Sequence, residues 1–385
     1  MGMAIFLYVK TLLTEKDRFI NLLKVNDHLS FSIDGFYILM NGGKSMNLKL
    51  IKASENYERQ IADMLDEWYA TGEKIVPYAI RIADYHDFRN YCESLEVRNP
   101  FENFVSCSTF FCLDEDRNKV VGAVNIRHYL NEELLRDGGH IGDGVRPSER
   151  GKGIGSKMIS LALEECKKAG IYRVLMVCDK ENIASAKSII NNGGVLENEV
   201  DVGGVAQQRY WINLIKEEEK EALPDIIRRM SIEEIPECVN VIRKAFKTVA
   251  DELGFTEENA PRFTAFATEE KRLWYQFCVE KKPMFVFMHK GSIAGYYSLA
   301  MLENGSVELN NLSVLPEYRH LGIGEKLVND AIENAKALGK DKMEIGIVEE
   351  NVRLRNWYEK LGFVHTGTKK FDFFPFTCGY MEMKL

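Results

Sequence analysis

Along the chain, short apolar runs alternate with stretches in which apolar residues return every three or four positions, which predicts strands interleaved with helices. The pattern is sharpest between residues 140 and 194. A strand over about 140–145 runs into a Pro- and Gly-containing turn, after which Met158, Ile159, Ala162 and Leu163 mark the apolar face of a helix. That helix stops at Gly170, as a C-cap requires. A buried strand over 173–178 and an Asn-led helix closed by Gly193 and Gly194 complete the series. The same order returns further along: a strand over 308–314, a turn, a helix marked by Leu327, Val328, Ala331 and Ile332, a stop at Gly339, a strand over 342–348, and an Asn-led helix ending at Gly362 and Phe363. Each series closes on a pair of strands.

The two series are copies. Segment 145–155, VRPSERGKGIG, matches segment 314–324, VLPEYRHLGIG, at six of eleven positions with an offset of 169. Unrelated segments of average composition match at about one such position. Without a gap, the same offset pairs Gly170 with Gly339, Asn182 with Asn351 and Gly193 with Gly362. A period of this length is a duplicated domain and excludes a solenoid. Two domains also suit a chain of 385 residues, which exceeds one ordinary core. The first is expected over 46–214 and the second over 225–385, with 215–224 (charged and ending at Pro224) as a solvated linker. Residues 1–45 lie outside the repeat, and two readings stay open: an ordered helix–strand extension, or sequence upstream of a start at Met46.

Composition narrows the function classes. A net charge of -8 argues against a general nucleic-acid binder and mildly favours cationic small molecules. The cysteines show no CxxC and no zinc-ligand spacing with histidine, so no metal is expected and the thiols read as reduced, in a cytoplasmic protein. No apolar run is long enough to span a membrane, and the stretch 4–9 is too short for a signal-peptide core.

Candidate chemistry sits in the turn. Both copies fit R-x-x-G-x-G between a strand and a helix, where glycine lets the backbone approach a ligand and the free N–H groups of the helix favour an anion such as a pyrophosphate. Walker A fails because Gly153 follows Lys152, and the dinucleotide fingerprint starting at Gly142 meets Pro147 where its last glycine should be. A tight turn without a ligand is the bland alternative, and the duplication of its flanking residues counts against it.

Both halves resemble the GCN5-related N-acetyltransferase (GNAT) superfamily, in which this turn follows the fourth strand. The resemblance implies an α/β (α+β) fold of two tandem domains. Each would have a twisted, mixed, largely antiparallel sheet with helices on both faces, splayed between its fourth and fifth strands. It implies acetyl-CoA as co-substrate, with the pyrophosphate on the turn amides and the pantetheine arm along the preceding strand. The implied cofactor-binding residues are Val145, Arg150, Gly151, Lys152, Gly153, Ile154, Gly155 and Asn182 in the first half. In the second they are Leu312, Val314, Arg319, His320, Leu321, Gly322, Ile323, Gly324 and Asn351.

Acetyl transfer to an amine requires a deprotonated nucleophile, a stabilised carbonyl oxygen and a proton for the leaving thiolate. By resemblance, Tyr358 in N-x(6)-Y-x(3)-G-F would protonate the sulfur, and Glu308 on the fourth strand would act as base, directly or through water. The alternatives are a half-buried aromatic for Tyr358 and a solvated strand end for Glu308. In the first half Ile189 stands where Tyr358 stands in the second, so that half either transfers without this acid or serves as a silent, CoA-binding or structural partner. His140 and Asp143 lie near its cleft and receive no role. The acceptor is expected to be a small amine. A cationic one would suit Asp251, Glu252, Glu257, Glu258 and the phenylalanines of 371–376, if these rim the cleft rather than forming solvated faces and core.

Overall fold

The computed structural model describes residues 46–97 and 104–385, together with the backbone of three strands before them. Those strands, β1 (Asn21–Val25), β2 (His28–Ile33) and β3 (Phe36–Met40), form an antiparallel sheet within a first compact unit, Met1–Asn47. The other expectations for residues 1–45 fall outside the described residues. Everything else, Leu48–Leu385, is a second compact unit that contains both copies of the repeat.

In the first copy, β4 (Leu48–Ile51), β6 (Cys107–Asp114), β7 (Lys119–Arg127) and β8 (Ile141–Val145) pair antiparallel in that order, with the short β5 (Glu96–Val97) on β6. Helix α1 (Glu58–Ala70) buries Ile61, Met64, Leu65 and Trp68, a spacing of three and four that makes one apolar face. It lies on the sheet beside the shorter α2 (Phe88–Ser94). Helix α3 (Ile154–Lys168) packs elsewhere on the sheet through Met158, whose sulfur lies 2.9 Å from where a Cβ on Gly122 would stand. A side chain at Gly144 would strike Trp68 and the Val76 carbonyl, so β8 depends on glycine for this close approach. After α3, a separate sheet is built from β9 (Arg173–Asp179), β10 (Val195–Val202) and β11 (Val205–Asn213), with α4 (Ile183–Ile190) between β9 and β10.

The second copy forms one seven-stranded sheet. Its order is β12 (Ile226–Arg229), β13 (Met284–His289), β14 (Ser292–Met301), β15 (Val307–Val314), β16 (Lys342–Val348), β18 (Thr377–Lys384) and β17 (Val364–Lys370). Every pairing is antiparallel except β15 with β16. Helix α5 (Ile235–Leu253) precedes the small helices α6 (Thr264–Ala267) and α7 (Glu270–Cys278), and α8 (Ile323–Ala337) and α9 (Val352–Lys360) complete the copy.

A continuous core joins the copies. Leu130, Tyr172, Leu175 and Trp211 from the first pack with Met230, Ile242, Val286 and Tyr296 from the second. In the stretch expected as a solvated linker, Glu217–Ala222 forms a 3-10 turn, Lys167 pairs with Glu219 at 3.2 Å, and Lys290 pairs with Glu221 at 2.6 Å. Ile215 and Leu223 on either side pack against the shared core. No described helix is long and apolar enough to cross a membrane, and all eight cysteines are free.

Candidate active site

Each sheet opens at the same place. In the second copy the parallel strands β15 and β16 pair only at Val307 with Met343 and Glu308 with Glu344, and diverge from there towards Val314. Two residues of β15, Asn311 and Leu312, face one residue of β14 in a β-bulge, with Asn311 at φ +49°. Such an insertion breaks the ladder and re-aims the backbone groups of the strand. In the first copy the opening is complete, since β8 and β9 belong to different sheets. His140 ties their near ends together. Its N–H donates to the Leu175 carbonyl at 2.7 Å, and its ring Nδ1 accepts the Leu175 N–H at 3.0 Å. His140 is therefore a strand-bridging residue, and burial, followed by the Arg228 and Arg127 charges, lowers its pKa to about 3.

At the open end of each split lies the glycine turn, with the same backbone in both copies. Gly153 (φ +79°) and Gly322 (φ +76°) precede the first residues of α3 and α8, and Gly151 (φ +75°) is matched by His320 (φ +66°). A Cβ on Gly151, Gly153 or Gly322 would meet no protein atom within 4 Å, so the space in front of the turn is open. The N–H groups of 151–156 and 320–325 find no acceptor among the described residues. The first bonds into the helices come from Lys157 to Gly153 and Lys326 to Gly322. Two helix N-termini thus present rows of unpaired donors to open space, which suits an anion.

The side chains of the turn mostly brace it. Ile154 and Ile323 are 1% and 2% exposed and belong to the core, so only their N–H groups are available. Arg319 spends its guanidinium on the Thr248 hydroxyl at 2.9 Å and the Ala245 carbonyl at 2.8 Å, which pins the turn to α5. Arg150 bonds the Val145 carbonyl and pairs with Glu73 at 2.7 Å. Lys152 donates to the Ser148 carbonyl and to Glu149, both at 2.9 Å. Leu321 is exposed, whereas Val145, Leu312 and Val314 are half-buried along the two splits. Gly324 serves close packing, whereas Gly155 leaves ordinary room for a side-chain carbon. A Cβ on Gly324 would lie 3.3 Å from the Trp357 ring, and one on Gly155 would lie 3.5 Å from Ser188.

Sequence reasoning missed the support behind the first turn. Glu149, 2% exposed, receives two bonds from Arg117 at 2.9 and 3.0 Å, one from Lys119 at 3.0 Å and one from Lys152. Burial works against its charge, but these hydrogen bonds prevail and hold the carboxyl down to about 2. Arg117, in the turn between β6 and β7, and Lys119, at the start of β7, gave no local sign of a distant carboxylate.

Asn182 and Asn351 each cap a helix. Their side-chain oxygens accept the N–H of Ser185 at 3.1 Å and of Leu354 at 3.0 Å, and among the described residues the amide NH2 of each has no acceptor. Tyr358 is 6% exposed, edge-on to Phe363 and Trp357, and its hydroxyl has no partner among the described residues. Burial raises its pKa well above the usual phenol value. Ile189, wholly buried, fills the corresponding point of the first copy.

Glu308 lies across the sheet from Tyr358. Its strand neighbours Val307 and Leu309 belong to the apolar cluster that holds Tyr358, so alternation turns Glu308 to the other face. There it lines a cavity of about 230 Å³ with Glu344, Tyr380 and Glu382, beside the last paired residues of the split. Asp143, on β8, is raised to about 6 by burial. Of the residues considered for an acceptor rim, the aromatic ones converge on one another: Phe376 packs on Phe255 and Phe263 at 5.1 and 5.7 Å, and Phe374 stacks on Phe376 at 4.6 Å. The acidic ones do not line that cluster as free charges. Asp251 pairs with Lys247, Glu252, Glu257 and Glu258 are exposed, and the Arg262 guanidinium already lies 4.7 Å over the Phe373 ring. Among the described residues no cluster of histidine, cysteine and carboxylate side chains has the geometry to hold a metal.

The model of the acetyltransferase (GNAT) family matches residues 75–188 and 253–363. An uncharacterised N-acetyltransferase of Bacillus subtilis, YvbK, is 39% identical over 71 residues, which is 18% of this chain and 46% of that protein. An uncharacterised N-acetyltransferase of Mycobacterium bovis is 27% identical over 113 residues, 29% of this chain and 66% of that one. The chain thus spans less than two thirds of the length of either relative. Among solved structures, the PaiA N-acetyltransferase of Thermoplasma acidophilum in complex with coenzyme A is 22% identical, with a TM-score of 0.38, covering 42% of this chain and 99% of that one. The Salmonella typhimurium acetyltransferase YncA with acetyl-CoA is 20% identical with a TM-score of 0.35, covering 42% and 94%.

Proposed function

The chain belongs to the acetyltransferase (GNAT) family, and from that premise we propose that it transfers an acetyl group from acetyl-CoA to a primary amine of a small molecule or peptide, mainly in its second half. The observation that carries this reading is the second split with its turn: unpaired N–H groups at 320–325 opposite a bulged, half-paired strand. The N–H groups of His320, Leu321, Gly322, Ile323 and Gly324 bind the pyrophosphate, Arg319 braces the turn beneath it, Leu312 and Val314 align the pantetheine arm, and the Asn351 amide meets its carbonyls. Val145, the 150–155 turn and Asn182 do the same in the first half. The domain limits follow the repeat, 46–214 and 225–385.

Attack is direct, within a ternary complex. The acceptor reaches the thioester from the Glu308 face, and Glu308 takes the ammonium proton, directly or through water. The amine nitrogen then bonds the acetyl carbon, the carbon–sulfur bond breaks, and Tyr358 gives its proton to the departing sulfur; the nitrogen sheds its second proton as the amide forms, which reprotonates Tyr358 through solvent. Placing base and acid on opposite faces of the sheet supports this division, because the split is where the two faces communicate. Free thiols throughout support a reducing, cytoplasmic setting.

The second reading, a first half that binds CoA without turnover, is favoured by one observation: Ile189 occupies the acid's position and is sealed in the core. Calorimetric titration of acetyl-CoA into the intact protein, with Gly153→Val and Gly322→Val, tests both. Two sites, each lost with its own glycine, support cofactor binding in both halves. One site lost with Gly322→Val makes the first half silent, and no binding overturns the transferase reading.

A further inference from the structure

Gly346 sits where a sheet rarely keeps a glycine. It lies inside the seven-stranded sheet, on β16 between β15 and β18, and its neighbours Ile345 and Ile347 are buried on the other face. Glycine weakens a strand interior and marks a point where another backbone or a ligand comes close. No backbone comes close here. Gly346 is exposed, and a Cβ on it would meet a single atom within 4 Å, Oε1 of Glu308, at 4.0 Å. At the offset of 169 the first copy has Val177, which packs against the shared core. One copy has filled the spot that the other leaves bare.

The surroundings of the bare spot suit an acceptor. Met343, Ile345 and Ile347 belong to the cluster that holds Tyr358, so alternation turns Glu344 and Gly346 to the opposite face, with Glu308. Gly346 is one pleat beyond the last paired residues, Glu308 and Glu344, on the side where β15 and β16 part. Its partner on β18 is Tyr380, an exposed ring whose phenol is raised by burial and by the Cys378 and Glu308 charges. The cavity lined by Glu308, Glu344, Tyr380 and Glu382 adjoins the spot. Glu344 and Glu382 share Lys342, at 3.0 and 3.3 Å, whereas Glu308 has no cation within 4.0 Å among the described residues. Neighbouring strands lie about 4.8 Å apart, so with Glu308 on one side and Tyr380 on the other the gap above Gly346 is roughly one methylene wide.

We propose that the bare backbone of Gly346 seats the nitrogen-bearing carbon of the acceptor, and that this seat selects primary amines unbranched at that carbon. The assignment rests on the transferase reading, with Glu308 as base. A CH2–NH2 group fits between Glu308 and Tyr380 with its nitrogen facing the split. A second substituent on that carbon meets the Tyr380 ring or the carboxylate. Of the acceptors that reading allows, alkylamines and lysine side chains fit, and peptide N-termini other than glycine do not.

The test follows CoA released from acetyl-CoA by the intact protein, with n-butylamine and sec-butylamine as acceptors. The unbranched amine is expected to have a kcat/KM roughly tenfold or more above that of the branched one. Gly346→Val, which gives the second half the residue of the first, is expected to raise the KM for n-butylamine roughly tenfold or more and to leave the KM for acetyl-CoA within about twofold. Tyr380→Ala widens the gap and is expected to bring the two amines within about threefold of each other. Equal kcat/KM for the two amines in the parent protein, or an n-butylamine KM unmoved by Gly346→Val, overturns the seat and leaves the transferase reading standing. If Gly346→Val does not fold, Gly346→Ala decides, and an unmoved KM there overturns the seat. Binding of acetyl-CoA with no CoA released by either amine overturns the transferase reading, and the seat falls with it.

Discussion

Ile189 and Tyr358 occupy the same point of two copies of one fold, seven residues after Asn182 and Asn351, each inside its own core. One can release a proton and the other cannot. Tyr358→Phe should therefore lower kcat by about 10²-fold or more while leaving acetyl-CoA affinity within about twofold. Steady-state rates beside calorimetry check this, and an unchanged kcat removes Tyr358 from the chemistry. The reverse exchange, Ile189→Tyr, should cost about 1–3 kcal/mol of stability, because a larger ring there has no free volume and Gly194 already lies against the isoleucine.

His320 holds a left-handed backbone at φ +66° where the first copy has Gly151. The side chain contributes strain without a described partner, so His320→Gly should raise stability by about 0.5–1 kcal/mol. The turn geometry is kept, so acetyl-CoA affinity should not fall. Chemical denaturation and calorimetry report the two quantities separately.

Glu149 binds three cations beneath the first turn, and its carboxyl is held down to about 2. A lowered pKa gives stability that is present above the unfolded value near 4.3 and lost as pH falls towards 2. Glu149→Gln should cost about 2–3 kcal/mol at pH 7, and the gap between the proteins should close on acidification. Unfolding midpoints between pH 7 and pH 2 measure it.

Asp143 has the opposite sign. Its carboxyl is raised to about 6, so the folded state binds the proton more tightly, and stability declines as pH rises from about 4 to 6 before levelling. Asp143→Asn should be more stable than the parent by on the order of 1–2 kcal/mol at pH 8, with no gain near pH 3.5. A gain of equal size at both pH values would assign the effect to packing instead.

The repeat made the glycine turns, the capping asparagines and the Ile189–Tyr358 contrast legible, because each depends on residues close together in the chain. What was not legible depends on distant partners. The bulge at Asn311 shows only in its register against β14, and His140 declares its bridging role only once Leu175 lies beside it. Glu149 needs Arg117 and Lys119 brought from the β6–β7 hairpin. The charges of 215–224 are visible in sequence, whereas the apolar seam that Ile215 and Leu223 help to close is not.

That seam changes what counts as a unit of inheritance and of damage. Tyr172 and Trp211 are covered by Met230, Val286 and their neighbours, so a chain ending near Leu214 would emerge with a greasy wound where its twin should be. Expressed alone, such a half would be held by chaperones or aggregate. A substitution that destabilises one copy is expected to pull down the other with it, even when the second catalytic split is untouched. Duplication usually gives a protein a spare; here the spare has become a splint.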